Sequence, residues 1–261
     1  MTHDPSREFA FGPRTLPAVT SVERQHTTVV SFVTERDAVS WMLPRHFTAT
    51  ERPVVSVMHQ QLEGVDYMRG RGYNLVNVAV TARFTGEQGT TVAPFPLVIW
   101  ENHTMPIIAG RELHGNPKIF GDVSEVMGDA RVDPSISFEV EEYGSTLIDA
   151  GLTQLRPSSS DALERTNAGS AEALIFGWRL IPNADGTIAI DEPTLIRGAS
   201  QFERTWTGTG ELTIHRRVLD EAPYSSHVVQ ALADLPQVEM RRAFHGVGTA
   251  QLFRNRTVVL S

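Results

Sequence analysis

The sequence predicts an α+β fold, mainly antiparallel β and barrel-like, with a few short helices. Three observations predict it. β-branched or alternating apolar runs recur along most of the chain, glycine- and proline-bearing turn signals separate them, and only two stretches have helical character. No internal repeat and no linker-like composition divides the chain, so residues 1–261 read as a single domain.

The elements follow in order. Residues 1–20 hold Pro5, Pro13 and Pro17 and read as an irregular arm. Thr27 to Val33 is β-branched and reads as a strand. Thr34-Glu35-Arg36-Asp37 resembles a capping box, opening a short helix through Ala38, Val39, Trp41 and Met42 that Pro44 stops. Pro53 to Leu62 is a further strand, and Tyr73 to Phe84 alternates well. Thr90 to Trp100 is apolar but broken by Pro94 and Pro96, which predicts an edge or bulged strand. Val132 to Glu142 and Ser145 to Leu155 read as a hairpin around Gly144. Arg156 to Ser170, rich in Ser, Asn and Gly, reads as a loop, and Ala171 to Ile181 returns to strand. Pro182-Asn183-Ala184-Asp185-Gly186 is a turn. Gln201 to Thr207 and Glu211 to Val218 pair around Gly208-Thr209-Gly210. Ser226 to Leu235 is helical and stopped by Pro236, and Val238 to Leu260 is mostly strand, with Gly246 and Gly248 inside.

Composition excludes several function classes. A formal net charge of −8 argues against nucleic acid as a partner. The chain has no cysteine, hence no disulfide framework and no thiolate nucleophile. The first residues are polar and lack a signal-peptide apolar run, and no apolar stretch approaches the ~20 residues that span a bilayer. The expectation is a soluble cytoplasmic protein with no membrane partner. There is no HExxH, no P-loop and no GxSxG elbow, and Gly208-Thr209-Gly210 lacks the third glycine of a dinucleotide site. Glu101-Asn102-His103 could supply metal ligands, but such a lone cluster is more often a loop hydrogen-bond network, so neither metal nor cofactor is expected.

Amine chemistry has one candidate. Lysine and arginine total 23, and Lys118 is the single lysine, leaving 22 arginines. A guanidinium cannot become a nucleophilic amine. Lys118 follows Gly115-Asn116-Pro117, with Met105 to Ala109 apolar before it and Ile119-Phe120 after. A stiff turn between apolar segments can desolvate an amine, although a leftover lysine can equally be an exposed turn residue.

Gly110-Arg111-Glu112 followed by Pro117-Lys118 resembles the lysine loop of the acetoacetate decarboxylase family. Further landmarks match in order: Thr34-Glu35, Leu43-Pro44, Tyr73-Asn74, Asn102-His103, Ile107 to Gly110, Ile181-Pro182-Asn183-Ala184-Asp185-Gly186, Trp206-Thr207-Gly208 and Leu235-Pro236. The resemblance implies the acetoacetate decarboxylase-type fold, a homo-oligomer and a Schiff-base lyase acting on a small keto acid, with Lys118 forming the imine that accepts the electron pair released with CO₂. A free lysine is only about 0.04% amine at pH 7, so such a lysine has to be activated. The family pattern is departed from at four places: Ile119 stands where a second lysine would follow, Leu75 and Met58 stand at acidic positions, and Gln25 stands where an arginine is found. These departures keep two other readings open: aldol or dehydration chemistry on a pyruvate-like acid with the same lysine, and a non-catalytic binding relative.

The remaining candidates are weighed with their plainer roles. Glu112 is a general acid/base or a loop brace, and Arg111 binds a substrate carboxylate or pairs Glu112. His114, four residues before the lysine, is a proton carrier or a solvent-facing loop histidine. Tyr73 and Asn77 share a face of one strand and could orient a carbonyl or carboxylate, or simply satisfy one another. His103 is a second acid/base candidate, and Trp100 and Phe120 are expected to wall the pocket.

Overall fold

A computed structural model describes residues 16–87, 89–241 and 243–261, so most of the expected N-terminal arm lies outside the described residues. The first strands are β1 (Val19–Val33), β2 (Thr48–Ala49), β3 (Val54–Val65), β4 (Arg71–Gly86) and β5 (Gly89–Glu101). The short strands β6 (Lys118–Phe120) and β7 (Asp122–Val123) follow, then β8 (Ile136–Glu142), β9 (Ser145–Pro157), β10 (Ala173–Pro182) and β11 (Ile188–Ile214). β12 (Glu239–Met240), β13 (Ala243–Phe253) and β14 (Val258–Val259) complete one fourteen-stranded sheet among the described residues. Its main path runs β6-β5-β4-β3-β1-β13-β11-β9-β8-β7, antiparallel except for the parallel β5–β6 pair. β10 extends β11 and packs against β5, so the sheet curls over itself without its path closing.

β5 is the bulged edge that its prolines predict. It pairs with β4 along its length, shifts register between Val78 and Ala79, and on its other side meets only β6. The β8–β9 hairpin turns on Tyr143 and Gly144, both at positive φ, as a two-residue turn between twisted strands requires.

Three expectations need correction. The segment from Arg156 to Ser170 is not a loop: helix α3 occupies Ser160–Ser170. Ser159 caps it by accepting from the Ala162 amide at 3.3 Å, and Asp161 sits in the first turn. Its composition reads as loop because none of its residues is buried. The Asn167 amide accepts from the Phe202 N–H at 2.7 Å and donates to its carbonyl at 3.0 Å. That amide satisfies β11 where it has left β10 and not yet met β9. Gly208-Thr209-Gly210 is likewise no turn, because β11 runs through it, with a register shift against β9 between Thr207 and Thr209. A Cβ at Gly208 would lie 2.4 Å from the Thr153 carbonyl, and one at Gly210 would lie 2.9 Å from the Val30 side chain, so the glycines serve close strand approach. Finally, helix α1 (Arg36–Ser40) is capped at Glu35 with no side-chain hydrogen bond, and Thr34 Oγ1 stays buried without a partner, so the capping box does not form.

The sheet's two faces bury different things. Val30 and Phe32 of β1, Val55 and Val57 of β3, and Val76, Val78 and Val80 of β4 pack with Phe138, Trp100 and Val229 of helix α4 (Ser226–Ala233) into the main core. The intervening residues, Ser56, Met58 and Gln60 of β3 and Tyr73, Leu75, Asn77 and Ala79 of β4, look into a cavity.

Candidate active site

The cavity has a volume of about 390 Å³ and lies between the β3–β4 face and the overhanging β10, β11 and β13. Its walls are mostly aliphatic, including Val22, Leu62, Val65, Ile99 and Ile196. Lys118 enters from the start of β6, with only 9% of its surface exposed. Its Nζ donates to Glu101 Oε1 at 2.5 Å and to the Pro106 carbonyl at 3.3 Å.

Local backbone brings this pair together. Helix α2 (Thr104–Ala109) runs into a π-helical turn, Gly110–His114, ended by Gly115 at φ 74°. In that turn Gly110 and His114 face inward, while Arg111 and Glu112 are exposed. Gly110 is required sterically, since a Cβ there would lie 2.4–2.5 Å from the Lys118 Cδ and Cε. Gly115 lies against β10, whose Trp178 N–H donates to its carbonyl at 2.9 Å. The chain then re-enters parallel to β5, with Lys118 in register with Ile99. Ile99 and Glu101 share the cavity face and Trp100 takes the core face.

Glu101 is wholly buried, and burial pushes its carboxyl up in pKa while the Lys118 ammonium opposes that rise. Its Oε2 has no hydrogen-bond partner. Two more buried side-chain oxygens of cavity-lining residues are also unpartnered, Asn77 Oδ1 and Asn116 Oδ1. Buried polar atoms are rarely left unmatched, and three of the eight such side-chain atoms among the described residues gather around this one cavity. Tyr67 and Tyr73 share a hydrogen bond there, and burial together with the Glu101 charge pushes both phenols up. His114 is buried and brought down to about 4, first by desolvation and then by Lys118 and Arg254, so near neutral pH its imidazole is uncharged. Arg254 donates to the carbonyls of Pro17 and Leu16, which anchors the start of the described chain over the cavity rim.

The structure thus gathers Lys118, His114, Tyr73 and Asn77, along with Met58 and Leu75, on one cavity. It does not bring the others there. Arg111 reaches back to donate to the Lys118 carbonyl at 3.0 Å, bracing the loop from outside. Glu112 offers only its carbonyl, to Arg179. His103 caps α2, its Nδ1 accepting from the Met105 N–H at 3.2 Å. Trp100 belongs to the core, its Nε1 donating to Ser225 Oγ at 2.9 Å, and Phe120 is 55% exposed. Gln25 is wholly buried and does not line the cavity; its Oε1 accepts from Gln60, which does, and its Nε2 donates to the Thr249 carbonyl. Sequence reasoning missed Glu101 as the lysine's partner, together with Tyr67 and Asn116. The available signal was a carboxylate ending an apolar strand directly before the lysine loop.

These features define a curled antiparallel sheet enclosing a small-molecule cavity around a lysine–carboxylate pair. The acetoacetate decarboxylase family model matches residues 4–259, and the chain belongs to that family of lyase-like enzymes. Among solved structures it is similar to acetoacetate decarboxylase from Legionella pneumophila, with 20% identity, TM-score 0.74, and 97% of this chain and 94% of that one covered. It is also similar to an acetoacetate decarboxylase-like enzyme from Sphingomonas wittichii, with 16% identity, TM-score 0.70, and 95% and 94% covered. A third is the enduracididine biosynthesis enzyme MppR complexed with pyruvate, with 16% identity, TM-score 0.66, and 95% and 91% covered. No protein of curated function matches the chain. Among the described residues no helix is long and apolar enough to cross a membrane, and no group of side chains is arranged to hold a metal ion.

Proposed function

We propose that this protein is a Schiff-base-forming lyase that takes a small keto acid into its cavity and joins it to Lys118, in the manner of a decarboxylase. The observation that carries this reading is the single lysine, buried in an apolar cavity beside unpartnered polar atoms. The iminium formed on Lys118 would accept the electron pair released as CO₂ leaves. The aliphatic walls favour loss of the charged carboxylate, and Tyr73, Asn77 and Asn116 would orient the carbonyl and acid groups. His114, kept uncharged, would relay a proton from solvent in the cavity to the product carbon, taking one at one ring nitrogen as it gives one from the other.

A second reading keeps the imine and replaces CO₂ loss with condensation or dehydration. It is favoured by the cavity's size, since 390 Å³ has room for a second carbonyl reactant, and by likeness to MppR, whose structures hold pyruvate and a pyruvate–aldehyde condensation product. Borohydride reduction with acetoacetate and with pyruvate, followed by intact mass and peptide mapping, tests both. An adduct on Lys118 with CO₂ release supports decarboxylation, and a pyruvate adduct without CO₂ supports condensation. No adduct with either acid sinks both readings and leaves a binding protein. The same proposal extends to a cytoplasmic homo-oligomer, with contacts along the edge strand β5 where Val92 is exposed, checked by light scattering of Val92→Glu.

A further inference from the structure

The geometry points to Glu101 as the catalytic proton acceptor that turns Lys118 into a nucleophile, by direct transfer inside the buried pair and without release of a proton to solvent. This rests on Lys118 being the imine-forming residue. The two atoms are already in contact at 2.5 Å, and the second carboxylate oxygen, Oε2, is buried and free of partners. Ile119 follows the lysine, so the next residue supplies no cation to expel the ammonium proton. The cavity supplies an acceptor instead. In an apolar enclosure an amine beside a carboxylic acid loses less solvation than an ammonium beside a carboxylate, which narrows the gap between the two forms.

Among the described residues, the groups facing the pair are few. Tyr67 and Tyr73 face the carboxylate, from the 3₁₀ turn after β3 and from β4, with phenols shifted so far up that they stay protonated. His114 and Arg254 lie on the lysine side, with Arg179 beyond, and the Pro106 carbonyl accepts from Nζ. His114 meets Thr257 Oγ1 through Nδ1 at 3.3 Å, whereas the hydrogen bonds of the ammonium go to Glu101 and the Pro106 carbonyl, leaving Glu101 as the side chain in contact with it.

The steps balance. An N–H bond of the Lys118 ammonium breaks and an O–H bond forms on Glu101. The amine lone pair attacks the substrate carbonyl carbon, and a proton passes from nitrogen to the carbonyl oxygen, giving a carbinolamine. Glu101 then returns its proton to the carbinolamine hydroxyl, which leaves as water as the C=N bond forms. The iminium is left beside a regenerated carboxylate, and no proton has entered or left the cavity.

The experiment is the rate of imine formation, measured by rapid quench with cyanoborohydride and intact mass, with pyruvate and acetoacetate as probes, across roughly pH 6 to 9. The reactive amine–acid pair and the resting ion pair hold the same number of protons, so the wild-type rate should be flat with pH. Glu101→Gln has only solvent to take the proton. Its rate should fall by about a hundredfold near pH 6 and rise with pH until the unpaired, desolvated amine is itself deprotonated. Glu101→Asp should regain a flat profile at a reduced rate, which covers the case of a poorly folding glutamine variant. A flat, wild-type-like profile in Glu101→Gln, or a wild-type rate in Glu101→Asp, overturns the proposal while the Lys118 adduct still forms. Absence of any wild-type adduct overturns the underlying reading and this one together.

Discussion

β4 has two faces, and they do opposite things. Val76, Val78 and Val80 enter a core of β-branched and aromatic side chains, while Tyr73, Leu75, Asn77 and Ala79, one residue out of phase, line a void. The core face is apolar apart from His59, which stacks on Phe138 at 4.8 Å, bonds the Ser124 carbonyl through Nε2 and leaves Nδ1 without a partner. The cavity face leaves volume unfilled and the oxygens of Glu101, Asn77 and Asn116 unpaired, which costs stability. The core face should therefore answer to stability measurements and the cavity face to chemistry.

The largest expected effect is on the cavity face. Lys118→Arg keeps the charge and removes the amine, so imine trapping should vanish while a thermal melt stays cooperative; a persisting adduct would break the assignment. Next comes acid. His59 and His245, away from the cavity, and His114 on it are lowered to about 4, chiefly by burial, against 6.5 when unfolded. Between those values the unfolded chain binds more protons, so stability is full above about pH 6.5 and falls as pH drops toward 4, by about 3 kcal/mol for each histidine. Urea melts at neutral pH and near pH 4.5 check this, and equal midpoints would contradict it. Phe138→Ala should cost about 3–5 kcal/mol in the same melts and leave imine formation intact at low temperature. Loss of trapping in a folded Phe138→Ala protein would erase the division between the faces. Gly110→Ala should act on both measurements, with about a hundredfold slower trapping and a lowered melting temperature, because the new methyl occupies the path of the Lys118 side chain and pushes it off buried Glu101. The smallest effect expected is His114→Ala, which should slow turnover yet still permit trapping; unchanged turnover would take His114 out of the chemistry.

Much of the fold was legible in local pattern. Alternation located β4, the prolines identified β5 as a bulged edge, and Gly144 marked the β8–β9 hairpin. Where local pattern failed, long-range contacts decided. α3 has no buried face to give it a period, and Gly208 and Gly210 have turn composition but are small because neighbouring strands press on them. The site follows the same division. The rarity of lysine and its Gly-Asn-Pro setting marked Lys118, and period two put Tyr73 and Asn77 on one face. The π-helical turn could not be read from Gly-Arg-Glu-Leu-His, and it is what points Arg111 and Glu112 outward and His114 inward.

By itself, then, the sequence determined a chain of alternating strands, a family and one amine, because these depend on residue type and near-neighbour spacing. Only the tertiary structure decided the amine's partner. Glu101 and Lys118 are 17 positions apart, and they meet because the loop after β5 turns back and lays β6 parallel to it, which puts both side chains on the same face of the sheet. No periodicity carries that information, since a parallel register is set by the packing of the intervening turn against β10 and by the space left at Gly110.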